Sequence, residues 1–311
     1  MTTGQAVPVP ASVSPHAQQW LSIPKAESTY PAQDDTAGWL AMIEQADSAI
    51  ATQFTSQPLP VSTEDETIAG VPVFVVTGPG VADDDRRIHI NFHGGGLIMG
   101  GGAVCRAMTG ISALSAGLRT WGVDYRMPPL HPFPAALDDA MAVYRAALEI
   151  REPHEIVVAG GSAGGNIAAA LLLRAKDEGL PMPAALVLNT PELDLTESGD
   201  SFVTNAAYDN LLSSLREVNE LYAAGQALDE PYLSPLFGDV TGFPPTFLKT
   251  GTRDLFLSNT VRMHRKLRNA GVEAELHVGE AMPHGGFGGA PEDQELDAEL
   301  QRFLTRHTAQ H

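Results

Sequence analysis

The stretch Glu155-Ile156-Val157-Val158-Ala159-Gly160-Gly161-Ser162-Ala163-Gly164-Gly165-Asn166 decides how this chain is read. Glu155–Ala159 is a short apolar run of the kind that forms a strand covered on both faces, and Ile167–Lys176 reads as an apolar helix. Between them lies Gly-x-Ser-x-Gly, at Gly160, Ser162 and Gly164. A serine on a sharp strand-to-helix turn projects its hydroxyl clear of the backbone, at the cost of a strained conformation. Gly160 and Gly164 lack the Cβ atoms that would collide across such a turn. The five-residue pattern alone is common and usually marks a flexible turn. Its place between strand and helix makes Ser162 a candidate nucleophile. Gly199-Asp200-Ser201-Phe202-Val203 begins similarly, but it lacks the closing glycine and any preceding strand.

Outward from this turn, short β-rich runs alternate with helical ones. Candidate strands are Val71–Thr77, Arg87–Phe92, Leu118–Tyr125, Glu155–Ala159, Ala184–Asn189, Thr246–Thr250 and Ala274–Val278. Helical patterns occupy Pro134–Leu148 and Thr260–Ala270, the latter ending at Gly271, a residue suited to a helix C-terminus. This alternation predicts an α/β domain with a mostly parallel sheet. Two segments fall outside it. Ala17–Phe54 offers Asp34 or Asp35 as a helix cap, with Trp39, Ile43, Ala46 and Ile50 on one face. Asp194–Gln226 carries Leu211, Leu215, Val218 and Tyr222 at helical spacing. Either alone reads as an ordinary packing helix; together they can lie over the strand ends as a lid.

Three other loops carry the groups that a serine nucleophile needs. His93-Gly94-Gly95-Gly96 follows a strand, and its glycines let backbone N–H groups approach a developing oxyanion without intervening side chains. Gly-x-Gly-x-x-Gly fails here because its last position is Met99, and no P-loop Gly-Lys-Ser/Thr occurs, so no nucleotide cofactor is expected. After Ser162, the preferred acid is Asp254, just past the apolar strand Thr246–Thr250, with Asp194 the alternative. The preferred base is His284, in Met282-Pro283-His284-Gly285-Gly286, which completes the chain order Ser, Asp, His. His264, His277, His307 and His311 lie on other elements or near the end. The absence of His-Glu-x-x-His and of paired cysteines leads us to expect no metal.

Composition narrows the setting. Of 311 residues, 38 are acidic and 19 basic, a net charge of −19 that repels phosphate backbones and anionic bilayers. Neither nucleic acid nor a membrane surface is an expected partner. The single cysteine, Cys105, cannot form an intrachain disulfide. No Lys or Arg precedes Lys25 and no apolar leader is visible, so a cytoplasmic location is expected. The longest apolar stretch, Ile167–Leu173, is too short to span a bilayer.

With these motifs in hand, the sequence resembles the hormonesensitive-lipase-like carboxylesterases of the α/β-hydrolase superfamily, which carry His-Gly-Gly-Gly upstream of the nucleophile. Val123-Asp124-Tyr125-Arg126 through His131-Pro132-Phe133-Pro134 matches the family's Asp-Tyr-Arg…His-Pro-Phe-Pro segment, and Gly251–Asp254 and Met282–His284 match its acid and base loops. The resemblance spans roughly residues 70–305. It implies a mostly parallel eight-stranded sheet, helices on both faces and a helical cap. It also divides the chain into N-terminal cap helices over 1–55 and a catalytic domain over 56–311 with a cap insertion at about 194–228. Ser162 is then nucleophile, His284 base and acid, and Asp254 the residue orienting His284. The backbone N–H groups of Gly95, Gly96 and Ala163 form the oxyanion hole, with Gly94 adjacent and His93 shaping the loop.

The implied activity is hydrolysis of short- to medium-chain carboxylic esters through an acyl-enzyme, without cofactor, with a small-molecule ester as partner. A homodimer is expected by analogy. Leu97, Met99, Leu193, Phe202, Tyr208 and Leu211 are the expected substrate-pocket side chains. The alternatives are lactone or amide hydrolysis by the same residues, or a ligand-binding receptor on this fold, which loss of the histidine would mark. Two positions depart from the family: Gly161 stands where Asp is usual, and Glu192 where an aromatic residue is common.

Overall fold

The computed structural model describes residues 7–25, 29–55 and 58–308. Among them, eight strands form one sheet: β1 (Ser62–Ile68), β2 (Val71–Thr77), β3 (Ile88–Phe92), β4 (Thr120–Val123), β5 (Ile156–Gly161), β6 (Ala185–Asn189), β7 (Thr246–Gly251) and β8 (Ala274–Gly279). Their spatial order is β1-β2-β4-β3-β5-β6-β7-β8. β2 pairs antiparallel with β1 and with β4, and every later pairing is parallel.

The central strands β3, β5, β6 and β7 are almost wholly buried because helices cover both faces. On one face α4 (Ala135–Ile150), α5 (Ala163–Asp177) and α8 (Leu257–Asn269) enclose the main core, which includes Phe92, Val158, Leu188 and Leu248. On the other, α3 (Ala103–Ala116) and α9 (Pro291–His307) cover a smaller core of Val157, Ala159, Val187, Phe247 and Phe303. The seven strands expected from sequence all form, with ends moved by a residue or two. β1 is the strand that sequence reading missed. Its sequence Ser-Thr-Glu-Asp-Glu-Thr-Ile has no apolar alternation because it lies at the sheet edge, and most of its residues are exposed. A hairpin turn at Ala69 and Gly70, both with positive φ, brings it onto β2.

The order of strands positions the site. β3 lies between β4 and β5, so the chain reverses direction across the sheet there, and the crevice at the strand ends falls between β3 and β5. Phe92 pairs with Gly160, which sets the loop after β3 beside the turn after β5. A Cβ on Gly94 would stand 3.3 Å from that of Ser162.

Two segments outside the α/β alternation meet over this edge. The first holds α1 (Pro15–Leu21) and α2 (Thr36–Thr55). Asp35 caps α2 by accepting the Gly38 N–H at 2.9 Å, as one of the two expected caps. The second holds α6 (Ser201–Thr204) and α7 (Arg216–Ala223). The helix suggested by Leu211, Leu215, Val218 and Tyr222 starts only at Arg216, because Asp209 holds Leu211 and Leu212 in a turn by accepting both of their N–H groups. Trp39 of α2 packs with Leu215 and Val218 of the second segment and with Ile98 and Phe256 below.

Candidate active site

Ser162 sits at φ 55° and ψ −123°, directly before α5. A Cβ on Gly160 would stand 2.1 Å from the carbonyl oxygen of Gly164, and one on Gly164 would stand 1.9 Å from that of Phe92. Only glycine fits at either position. The turn is locked on both sides: the Ser162 N–H donates to Asn189 at 2.9 Å, and its carbonyl accepts from Gly165 and Glu192 at 3.0 and 3.1 Å. The helix dipole of α5 starts at this serine, placing positive potential at its backbone.

The loop after β3 is held from behind. His93 donates from Nδ1 to the Gly94 carbonyl at 2.8 Å, and its ring stacks on Tyr125 at 4.2 Å. The Tyr125 hydroxyl donates to the His93 carbonyl at 2.8 Å, and Asp47 of α2 accepts the Gly100 N–H at 2.8 Å. Burial pulls the His93 imidazole down to about 4, so it stays neutral. Gly95 and Gly96 take positive φ values of 127° and 59°. Among the described residues their N–H groups have no hydrogen-bond acceptor, and Ala163 opens the first turn of α5. Gly95 and Gly96 line the same cavity as Ser162.

The acid and base loops come from the far side of the sheet. The His284 Nδ1 lies 3.0 Å from Asp254 Oδ1. That carboxylate is fully buried and also accepts from the Phe256 N–H at 2.9 Å and the Thr250 hydroxyl at 2.6 Å. The Phe256 ring meets the His284 ring edge-on at 4.9 Å. Burial works against charge on His284, but the Asp254 hydrogen bond and the negative charges of Asp254, Asp209 and Glu192 outweigh it and raise its pKa. Asp194, the alternative acid, is instead committed to Arg262 at 2.6 Å and to Ser198 and Thr196. His277 stacks on Phe247 within the sheet, and His311 lies outside the described residues.

Ser162, His284 and Gly94–Gly96 line one cavity of about 640 Å³. Of the expected pocket residues, Met99 and Leu211 line it, joined by Tyr30, Leu212, Leu215 and Val218. Leu97 and Leu193 are fully buried in the main core, Phe202 packs on Phe256, and Tyr208 is exposed; none of the four is among the lining residues. Glu192 donates its N–H to Ser162 but turns its carboxyl inward, where Oε2 has no partner among the described residues and burial pushes the pKa up to about 7. Position 161 bears no side chain, and a Cβ there would have no neighbour nearer than 3.7 Å.

Sequence reading missed two features. Asp209, fully buried in the second segment, ties that segment to the loops carrying Asp254 and His284. A lone loop aspartate gives no signal of this in sequence. The second is a group of possible metal-ligand types, His93, Cys105 and Asp124, whose ligating atoms lie within 4.8 Å of one another behind the glycine loop. Burial pushes the Cys105 thiol far up, and Asp124 already accepts the Gly102 N–H, so the group braces the loop.

Residues 89–287 match a family model described as an alpha/beta hydrolase fold. The chain is 34% identical over 206 residues to an acetyl-hydrolase of Streptomyces hygroscopicus, a stretch covering 65% of this chain and 69% of that protein. It is 32% identical to a carboxylesterase of Mycobacterium tuberculosis over 70% of this chain and 72% of that one. The aligned stretch covers 65% of the length of a similar esterase from Acinetobacter venetianus, at 33% identity. Among solved structures, esterase E25 superposes with a TM-score of 0.92 at 36% identity, covering 99% of this chain and 98% of that one. An esterase of the bacterial hormone-sensitive lipase family superposes with a TM-score of 0.84 at 31% identity, over 95% of this chain and 99% of that one. No helix among the described residues is long and apolar enough to cross a membrane. The chain therefore belongs to the hormonesensitive-lipase-like esterases of the α/β-hydrolase fold, and it is a carboxylic ester hydrolase.

Proposed function

We propose that the chain hydrolyses short- to medium-chain carboxylic esters through an acyl-enzyme on Ser162, with His284 as base and Asp254 as its orienting acid. The observation that carries this reading is the 3.0 Å contact between His284 Nδ1 and Asp254 Oδ1, on a histidine lining the same cavity as Ser162. With Nδ1–H held by the carboxylate, the free imidazole nitrogen is Nε2, the one able to take the Ser162 proton. The serine oxygen then attacks the ester carbonyl, and the N–H groups of Gly95, Gly96 and Ala163 receive the negative oxygen. The imidazolium returns its proton to the departing alcohol. A water molecule gives a proton to His284 as its oxygen attacks the acyl carbonyl; the bond to the serine oxygen then breaks, His284 returns the proton to that oxygen, and the acid leaves with Ser162 as it began.

Leu211, Leu212, Leu215, Val218 and Met99 line the cavity and favour an apolar chain, and about 640 Å³ limits its length. We read residues 1–55 and about 194–228 as a cap, supported by Tyr30, Ile50 and Leu211 lining the cavity from both segments. Residues 1–6 and 26–28 of that cap lie outside the described residues.

The test is Ser162→Ala against p-nitrophenyl butyrate, together with mass analysis of the wild type after treatment with a fluorophosphonate. The reading expects turnover to vanish in the variant and a single phosphonyl adduct on Ser162. Retained turnover, or an adduct elsewhere, overturns it. A chain that binds esters but neither hydrolyses them nor takes the label would be a receptor.

A further inference from the structure

We propose that the cavity at Ser162 continues into a second chamber that receives a hydroxyl-ended chain of the ester substrate. The inference rests on the esterase reading and adds a substrate class to it.

The same cavity that holds Ser162 and His284 is also lined by His89 and Asn91 of β3, Asn189 of β6, Lys249 of β7, Ser115 of α3 and Asp297 of α9. Parallel register sets Gly161 beside Asn189, and Asn189 beside Lys249, in one row across the strand ends. His89 and Asn91 are two apart on β3 and so share a face of the sheet. This is the face covered by α3 and α9, where Ser115 donates to Asp297 at 2.9 Å. The row begins at Gly161, which has no side chain to fill the space next to Ser162. At Gly161 a Cβ would meet nothing nearer than the Asn189 backbone oxygen at 3.7 Å. Lack of a side chain there leaves the space between the nucleophile and the chamber open.

The lining is polar in both senses. Among the described residues, the carboxamides of Asn91 and Asn189 and the Lys249 ammonium make no side-chain hydrogen bond, and the buried Nε2 of His89 has no hydrogen-bond partner. Asp297 supplies an acceptor, and Lys249 supplies a charge opposite to it. With one cation and one anion the chamber has no net preference for an ion, and an anionic chain end would face Asp297. An alkyl end would take water from the amides and ammonium and return nothing. A hydroxyl both donates and accepts, and so answers both kinds of group.

The hydroxyl could sit on either side of the ester bond, and two substrate pairs separate the cases. kcat/KM of the full chain would be measured by pH-stat for ethyl 6-hydroxyhexanoate against ethyl hexanoate, and for 6-hydroxyhexyl acetate against hexyl acetate. An apolar cavity would disfavour the hydroxyl on the order of tenfold in both pairs. The chamber predicts that in one pair the hydroxylated ester is hydrolysed at least as well as the alkyl one, and that pair identifies the side. Lys249→Met and Asn91→Leu should each lower the hydroxyl-to-alkyl ratio in that pair on the order of tenfold. Gly161→Asp, which fills the opening, should lower it as well. A tenfold penalty in both pairs overturns the proposal, as does a ratio unmoved in folded Lys249→Met and Asn91→Leu proteins. If p-nitrophenyl acetate is turned over but the hydroxylated ester is disfavoured in both pairs, the chamber fails and the esterase reading stands. Absence of any ester turnover overturns both.

Discussion

Asp209 accepts the backbone N–H of His284 at 3.3 Å, and the same oxygen accepts the N–H of Leu255, next to Asp254, at 2.8 Å. Its other oxygen accepts the N–H groups of Leu211 and Leu212, two residues that line the cavity. One fully buried carboxylate therefore joins the segment over the site to the acid and base loops. Asn205 reinforces the link by donating to the carbonyls of Asp254 at 2.8 Å and Thr252 at 3.2 Å.

Asp209→Asn should be among the most damaging changes outside the proposed triad. An asparagine of the same shape turns an N–H₂ toward backbone donors and removes the charge that accepts four hydrogen bonds. Hydrogen bonds to a charged group are worth about 1.5–3 kcal/mol each, so a stability loss of about 3 kcal/mol is expected. The remaining folded enzyme should show a lower kcat on p-nitrophenyl butyrate by roughly 10–100-fold, since His284 and Asp254 lose their fixed register. Denaturant melts and steady-state kinetics check this; a variant with wild-type kcat would show that the four bonds only stabilise the fold.

The pH profile follows from the raised pKa of His284. The base must be neutral to accept the serine proton, so kcat/KM should fall as pH drops through a value above 6.5, the ordinary imidazole value. Asp254→Asn removes the largest favourable influence on the charged ring, which moves the acid limb to lower pH while costing rate by up to roughly 10⁴. Asp209→Asn removes a more distant charge and should move the limb in the same direction, by less. Profiles from pH 5 to 9 for the three proteins test the order.

How much of this was legible in the sequence depends on what fixes each residue. The strands around Ser162 were readable because continuous apolar runs can only be buried on both faces, and Gly160 and Gly164 were readable because the turn leaves no room for a Cβ. β1 was not, since an edge strand of Ser, Thr, Glu and Asp is held by pairing with β2 rather than by burial. Leu97 and Leu193 looked like pocket residues by position, yet both turn into the core. Only the fold decides which way they turn. Asp209 could not be found, because its partners are backbone groups of three separate loops. Nothing in local sequence distinguishes such an aspartate from a solvated one.

The glycines around the nucleophile make a paired prediction. Gly164→Ala would place a Cβ 1.9 Å from the Phe92 carbonyl oxygen, a backbone atom that cannot move without disturbing β3. A cost above about 3 kcal/mol is expected, read as insoluble protein or a strongly lowered Tm. Gly161→Ala meets nothing nearer than 3.7 Å and should melt within about 1 kcal/mol of wild type. Equal melting of the two variants would contradict the geometry of the turn.

Glu192 offers the clearest link between pH and stability. Its carboxyl is fully buried, and desolvation is the largest cause of a pKa pushed from 4.5 to about 7. A group whose folded pKa lies above its unfolded one contributes stability that is fully present below the unfolded value and is lost as pH rises through the folded value. For Glu192 that window runs from 4.5 to about 7, and the loss across it is on the order of 3 kcal/mol. Glu192→Gln keeps the shape of the neutral form and does not titrate. The wild type should therefore lose stability relative to Glu192→Gln as pH is raised from 5 to 8, with the two converging at the acid end. Chemical denaturation of both proteins across that range measures the difference directly. Parallel curves would mean that the carboxyl is already ionised in the folded protein, with a partner for Oε2 that offsets its burial.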